Sequence, residues 1–516
     1  ISLVVDQKTT ADPANNFGIR PLPNLEAKFV AANSLIPLAK TENNLGRTPE
    51  IIEIENKLKE ANHKIFGAKT VRTKRKWKER LIALRAEMAE KLSDNGFLTT
   101  DAANQLASWD MFNQNTSASF FDAEWMFGVQ DGFNIVIANP PYGYIFKQVS
   151  YLPELLKLYS VAEYKIEAYS IFTECGHNFL CIEGVLCFIM PYTFISGIYF
   201  SQFRNYLKTV GLNKLIILGK KRFEAAEVDT AILIVDKGVQ CQNITLTDLR
   251  EKSYLCLNNL SYFTVSRDKF FTLSNEVLLV TQEKNIDLYL KLIGKGSNKI
   301  SDIIKFYHGI QTRGNKFALS ETKVNDHYLP IIKGADFNRY QLSFGGLYIN
   351  FIPSNVKSGG DLSFYNVSQK LVFRTTADRI IATIDSNQFL TLNSVNVGIP
   401  INAKYDLEYI LGIINSKLMD FWYTLTVQEK NKTFAEVKIV YLERIPIIDL
   451  DKGSQKQIVD IVKNLMNESN NEKKQKLENM IDLLVYHLYN LTYDEVCIVD
   501  PETSITREEY EKAESL

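Results

Sequence analysis

Apolar positions along the chain fall into stretches of different period. Between residues 48 and 95 they recur at helical spacing, first as Ile51, Ile54 and Leu58, then as Trp77, Leu81, Leu84, Met88 and Leu92. This stretch is charged and poor in glycine, and it predicts a helical hairpin or arm. From 120 to 240, short apolar runs alternate with segments of helical period. The run Phe133-Asn-Ile-Val-Ile-Ala138 predicts a strand buried on both faces of a parallel sheet. A helix pattern covers 166–180, and 184–190, 215–218 and 231–235 are three further strand candidates. Strands alternating with helices predict an α/β doubly wound domain.

The flanks read differently. Residues 1–40 are irregular and contain prolines, with a strand-like segment at 27–34. Beyond 245 the chain turns to short β-like segments rich in Asn, Ser and Tyr. Helical spacing returns over 452–491 through Ile458, Ile461, Val462, Leu465, Leu477, Ile481 and Leu484. The expected organisation is an opening piece of the α/β domain at 1–47 and a helical insertion at 48–97. The chemistry-bearing α/β region follows at 98–244, a mixed α+β region at 245–450 and a helical segment at 451–516.

Composition changes this picture little. A chain of 516 residues has room for two to four domains, and 46% hydrophobic with 23% charged residues is ordinary for a globular protein. The formal net charge of -1 means that any basic surface is local. The run Arg72-Thr-Lys-Arg-Lys-Trp-Lys-Glu-Arg80 is either a solvated helix face or a phosphate-contacting patch. The six cysteines form no CxxC pair and have no histidines at metal spacing. They suit a reducing cytoplasm, most of them as small core residues, and no metal site is expected. No basic start leads into an apolar run, and the longest apolar stretches are too short or interrupted for a membrane span. The chain opens on Ile1 rather than methionine, and a fragment of a larger protein is expected.

The chemistry concentrates at Asn139-Pro140-Pro141-Tyr142, directly after the apolar run that ends at Ala138. Ligands of α/β sheets bind beyond the carboxyl ends of strands, where this tetrapeptide falls. Two consecutive prolines fix backbone torsions and remove two N–H donors, so the loop is stiff and presents carbonyl oxygens. An amino group on an aromatic ring is a poor nucleophile, because its lone pair is delocalised. The Asn139 carboxamide oxygen and the Pro140 carbonyl are placed to accept its two hydrogens and aim the lone pair at a methyl sulfonium. Tyr142 is placed to stack on the ring. Catalysis of this kind is positioning and electrostatics.

With its context the tetrapeptide resembles the adenine-methyltransferase part of type IIG restriction-modification enzymes. The likeness runs through Phe120-Phe-Asp-Ala-Glu-Trp-Met-Phe-Gly128, Gly132–Tyr142, Ala168-Tyr-Ser-Ile-Phe172, 184–194 and 222–234. It implies a partial Rossmann-like methyltransferase sheet with a helical arm insertion. It also implies S-adenosylmethionine as methyl donor and an adenine flipped out of the duplex. Phe223 then helps Tyr142 hold the base, and Lys220, Lys221 and Arg222 lie near phosphates. Gly309-Ile-Gln-Thr-Arg-Gly-Asn-Lys316, 331–336 and 411–418 resemble a TaqI-like target-recognition domain. Gln311, Arg313, Asn315 and Lys316 are its candidate contacts with double-stranded DNA. The resemblance implies a cytoplasmic, prokaryotic protein with no membrane partner.

The sequence departs from that family at its start. The glycine-rich strand-to-helix turn, and the acidic residue after the next strand, have no counterpart in residues 1–25. What the resemblance leaves for the cofactor is Asn33 and Ser34, with Asn139 and Pro141. No nuclease site is legible: Glu55-Asn-Lys57 is an acid-x-Lys pattern on a charged helix and reads as a solvated pair. The partner expected on this basis is the N-terminal region of the same enzyme, and the isolated chain is expected neither to cut nor to methylate efficiently. Two other readings stay open: a methyltransferase of protein glutamine or RNA bases using the same tetrapeptide, and a DNA-specificity module without catalysis.

Overall fold

The structure is a computed structural model, and it describes residues 10–13, 29–41, 48–68, 70–110, 112–113, 115–146, 149–162, 166–219, 228–250, 260–428 and 436–513. Helices α1 (Pro49–Phe66), α2 (Val71–Asp94) and α3 (Thr100–Ser108) each begin on a threonine. The hydroxyl oxygens of Thr48, Thr70 and Thr99 accept from the amides of Ile51, Thr73 and Ala102, satisfying donors that a helix start leaves open. The apolar stripe of α1 and α2 enters one core with Leu98, Leu106 and Trp125. Each fully buried leucine there contributes on the order of 2 kcal/mol. The Arg72–Arg80 run lies mostly exposed at the start of α2, where Arg75 pairs with Glu79 at 2.9 Å. Glu55 differs from expectation: it is buried rather than solvated, and it accepts from Gln130 Nε2 at 3.2 Å.

After the short helix α4 (Ala123–Phe127) the chain enters β1 (Phe133–Ala138), α5 (Leu152–Leu158), α6 (Ala168–Asn178) and β2 (Leu180–Pro191). Helix α7 (Ser201–Thr209) and strands β3 (Leu212–Gly219), β4 (Thr230–Asp236), β5 (Asn243–Asp248) and β6 (Phe263–Ser266) follow. The six strands form one sheet in the order β1-β2-β4-β3-β5-β6. β1 runs parallel to β2 and β3 to β5, while β6 is antiparallel to β5. The fold is the α/β arrangement that the alternating pattern predicts, and the non-sequential order marks its crossovers.

The chain makes two compact units, one of Ile1–Met190, Tyr206–Asn213 and Ile232–Cys241, the other of Pro191–Asn205, Lys214–Ala231 and Gln242–Leu516. In the first unit, α6 lies close against β1 and β2. A Cβ at Gly176 would stand 2.8 Å from Phe188 Cζ and 3.4 Å from Val136 Cγ1. Leu186, Phe188 and Met190 on this face are buried. The opposite face corrects the expectation for 133–138. Ile135 is 68% and Ile137 75% exposed, and Val185, Cys187 and Ile189 beside them are only half-buried. Among the described residues β1 is an edge strand with one face covered, so they do not enclose its apolar run on both sides.

The strand-like segment at 27–34 is likewise corrected. Among its described residues it makes one isolated bridge, from Ala32 to Ala118. Asn33 Oδ1 accepts from the Leu35 amide at 3.3 Å, a local bond that turns the backbone away from a ladder. The cysteines also differ. Cys175 is buried, but Cys181, Cys187, Cys241 and Cys497 are half-buried, and Cys256 lies outside the described residues.

The second unit contains a four-stranded antiparallel sheet in the order Ala382–Asp385, Lys370–Arg374, Val395–Pro400, Ile304–His308. A second sheet is built from Leu319–Ser320, Tyr348–Asn350, Tyr328–Ile332 and Leu390–Thr391. Lys370 and Asp385 form an ion pair of 2.6 Å with both side chains 0% exposed, and Asp385 also accepts from the amides of Asn387 and Phe389. Helices Leu407–Ile414, Lys417–Val427, Lys452–Asn467 and Asn471–Leu488 follow. No helix among the described residues is long and apolar enough to cross a membrane.

Candidate active site

The Asn139–Tyr142 loop leaves β1 at its carboxyl end. Pro140 is buried, Asn139 and Pro141 are exposed, and Tyr142 is half-buried. The Tyr142 hydroxyl donates to Asn139 Oδ1 at 2.8 Å. Partial burial raises the Tyr142 pKa above its ordinary value, so the phenol stays a neutral donor. The next residue, Gly143, has a φ of 90°, which side-chain-bearing residues rarely adopt, and nothing stands within 4 Å of where its Cβ would be. The demand for glycine here is conformational.

Two bonds hold this turn. Gly143 N donates to Glu167 Oε2 at 2.8 Å, and Ala168 N donates to the Gly143 carbonyl at 3.1 Å. Glu167 occupies the N-cap of α6 but makes no side-chain cap to its own helix. Burial raises its carboxyl pKa, a rise opposed by the Gly143 amide and by Tyr144. Seven residues on, Glu174 accepts from Ser160 N (3.1 Å), Ser160 Oγ (3.0 Å) and Val161 N (3.0 Å). The segment after the tetrapeptide is therefore pinned to α6 near both ends, at Gly143 and at Ser160–Val161.

The early segment is held by α6 through Cys175 and by Tyr159 at the end of α5. Cys175 Sγ donates to the Ser34 carbonyl at 3.1 Å, and Tyr159 Oη donates to the Leu35 carbonyl at 2.8 Å. The Cys175 and Glu167 anchor points are about 12 Å apart along the helix, from its rise per residue. Asn33 and Ser34 are thus tied to the element that carries the Asn139 loop, although the Asn33 side-chain oxygen faces its own turn. Glu167 and Glu174 are functional candidates that sequence reasoning missed. An acidic residue just before a helix reads as an ordinary N-terminal charge, and nothing local announces a partner 24 residues away.

Lys220, Lys221, Arg222 and Phe223 lie outside the described residues. In the second unit Gln311, Arg313, Asn315 and Lys316 are all exposed. Gln311–Thr312 pairs with Val356–Ser358, Arg313 N donates to the Asn355 carbonyl at 2.9 Å, and Thr312 Oγ1 donates to Asn315 Oδ1. The loop backbone is fixed while the Gln311, Arg313 and Lys316 side chains reach solvent.

The tetrapeptide loop thus stands at the carboxyl end of a strand in an α/β sheet. Residues 25–223 match the Eco57I restriction-modification methylase, and residues 329–447 match the TaqI-like C-terminal specificity domain. The chain is thus similar to a restriction-modification methylase over its first part and to a specificity domain over its later part. Among particular proteins, it is similar to RM.MjaORFECS2P of Methanocaldococcus jannaschii, named as a type II restriction enzyme and methyltransferase. The two are 27% identical over 390 residues, 70% of this chain and 31% of the relative. It is also similar in fold to the type IIL restriction-modification enzyme MmeI, solved in complex with DNA. There the TM-score is 0.50 at 12% identity, covering 84% of this chain and 64% of that one. The chain thus spans about a third of the length of the curated relative it matches.

Proposed function

We propose that this chain is the base-handling and sequence-reading part of a site-specific DNA methyltransferase that modifies the exocyclic amine of adenine. The observation that carries the reading is the Asn139–Tyr142 loop, with an exposed carboxamide held on a stiff turn at the end of β1. Asn139 Oδ1 and the Pro140 carbonyl accept the two amine hydrogens, which frees the nitrogen lone pair. Tyr142, with Phe223, stacks on an adenine rotated out of the duplex, since the amine is inaccessible inside a base stack. Gln311, Arg313, Asn315 and Lys316 contact DNA, with Lys220, Lys221 and Arg222 near phosphates.

S-adenosylmethionine supplies an electrophilic methyl group when bound. Asn33, Ser34, Asn139 and Pro141 offer carboxamide, hydroxyl and carbonyl groups that fit part of such a molecule. The remainder we assign to an N-terminal region of the same enzyme. The exposed Ile135 and Ile137 on β1 support that assignment, because an apolar strand whose outer edge is unpaired among the described residues offers both backbone bonds and an apolar face to a further layer. The same open face favours a second reading, in which the chain by itself serves as a DNA-specificity module. Incubating the enzyme that contains this chain with labelled S-adenosylmethionine and duplex DNA tests the first reading. Label in adenine supports it, label in protein removes it, and DNA binding without any labelling favours the second.

A further inference from the structure

We propose that Glu167 is a positioning residue for the base-handling loop, fixing Asn139–Tyr142 on α6 through the Gly143 amide. The proposal rests on the methyltransferase reading and names a group outside the tetrapeptide on which its geometry depends.

Glu167 stands where a helix ordinarily caps itself, yet its side chain caps no amide of α6. Its Oε2 accepts instead from Gly143 at 2.8 Å, and the adjacent Ala168 N donates back to the Gly143 carbonyl. Both polar groups of one peptide-chain residue are thereby bound to the start of one helix. That residue adjoins Tyr142 and adopts a φ of 90°. The helix itself packs closely on the sheet, because Gly176 brings it within contact of Phe188 and Val136. Glu174, two turns along the same face, does the equivalent for Ser160 and Val161. The loop therefore takes its position from β1 at one end and from α6 at the other. Two prolines make the tetrapeptide stiff, and a stiff loop transmits a displacement at Gly143 to Tyr142 and Asn139. A misplacement of about 1 Å in such a site costs roughly 100-fold in rate.

The test compares Glu167→Ala, Glu167→Asp and Glu167→Gln in the enzyme that contains this chain. Glu167→Ala is expected to lower kcat for methyl transfer by roughly tenfold to 100-fold, with KM for DNA and the melting temperature unchanged. Glu167→Asp, which keeps the charge but shortens the reach, should share the defect. Glu167→Gln retains an acceptor oxygen at full length and should restore most of the rate. Amide hydrogen exchange at Gly143 should quicken in the Ala and Asp variants and not in Gln. Undiminished kcat in Glu167→Ala, or unchanged exchange at Gly143, overturns the proposal. If the parent enzyme methylates no duplex at all, the methyltransferase reading has failed, and the exchange measurement alone decides whether Glu167 holds the loop.

Discussion

Tyr142 Oη stands 2.8 Å from Asn139 Oδ1, so the oxygen assigned to a base amine is already engaged by a hydroxyl of its own loop. A carboxamide oxygen has two lone pairs, so this bond leaves room for a second donor. The Tyr142 ring and its hydroxyl then have separable roles. Tyr142→Phe keeps the stacking surface and should hold the methyl-transfer rate within about threefold, a change of about 1 kcal/mol or less. Tyr142→Ala removes the stack, worth about 1–3 kcal/mol, and should lower kcat/KM about tenfold or more. Steady-state methylation of a duplex substrate by the two variants separates these outcomes.

Gly143 is required for its backbone, since space around its missing side chain is open. Gly143→Ala should cost about 1–3 kcal/mol of stability through strain at positive φ. It should also lower the methylation rate by displacing the loop. Gly143→Asn, whose side chain tolerates positive φ better, should lose less of both. Chemical denaturation and single-turnover rates on the same preparations check this.

Arg204 is completely buried and donates to four carbonyls: Ser274 (2.6 Å), Phe194 (2.8 Å), Gly197 (2.7 Å) and Asn275 (2.9 Å). Replacing it by methionine preserves bulk but removes these donors. The expected loss is about 3–5 kcal/mol, as for breaking other buried charged networks. Arg204→Lys should recover little, because three donors on a point charge do not reproduce the planar fork. Denaturant midpoints of the two variants are the measurement.

Asp482 is buried on the helix Asn471–Leu488 and accepts from the Lys417 amide at 2.9 Å. Burial pushes its pKa from the ordinary 3.8 up to about 7, against the pull of the Lys417 amide and ammonium and of Arg339. A carboxyl with a raised folded pKa favours the fold when protonated. Its contribution is fully present below pH 3.8 and is lost as pH rises through about 7. Asp482→Asn should therefore flatten stability across that range and be the more stable protein at pH 8. Thermal denaturation at pH 5 and pH 8 tests the sign.

Much of this was legible in the sequence because it is local. The stripe from Ile51 to Leu92 has helical period, and helices α1 and α2 follow it. Phe133–Ala138 is a strand ending at the tetrapeptide. What was not legible depends on distant chain. Ile135 and Ile137 have the composition of an enclosed strand, and only the strand order exposes them. Glu167 has no local mark of its bond to Gly143. Arg204, beside Phe203 and Leu207 in an amphipathic helix, reads as a solvent-facing charge and is instead a buried hub.

The most direct test of the central claim is a nucleoside digest. The enzyme that contains this chain, or its Asn139→Ala variant, is incubated with methyl-labelled S-adenosylmethionine and duplex DNA. The DNA is then hydrolysed and its nucleosides separated. Label should appear in N6-methyladenine, and Asn139→Ala should lower it by roughly 100-fold or more while DNA affinity stays unchanged. Label recovered in cytosine or in protein, or an undiminished signal from Asn139→Ala, would contradict the account.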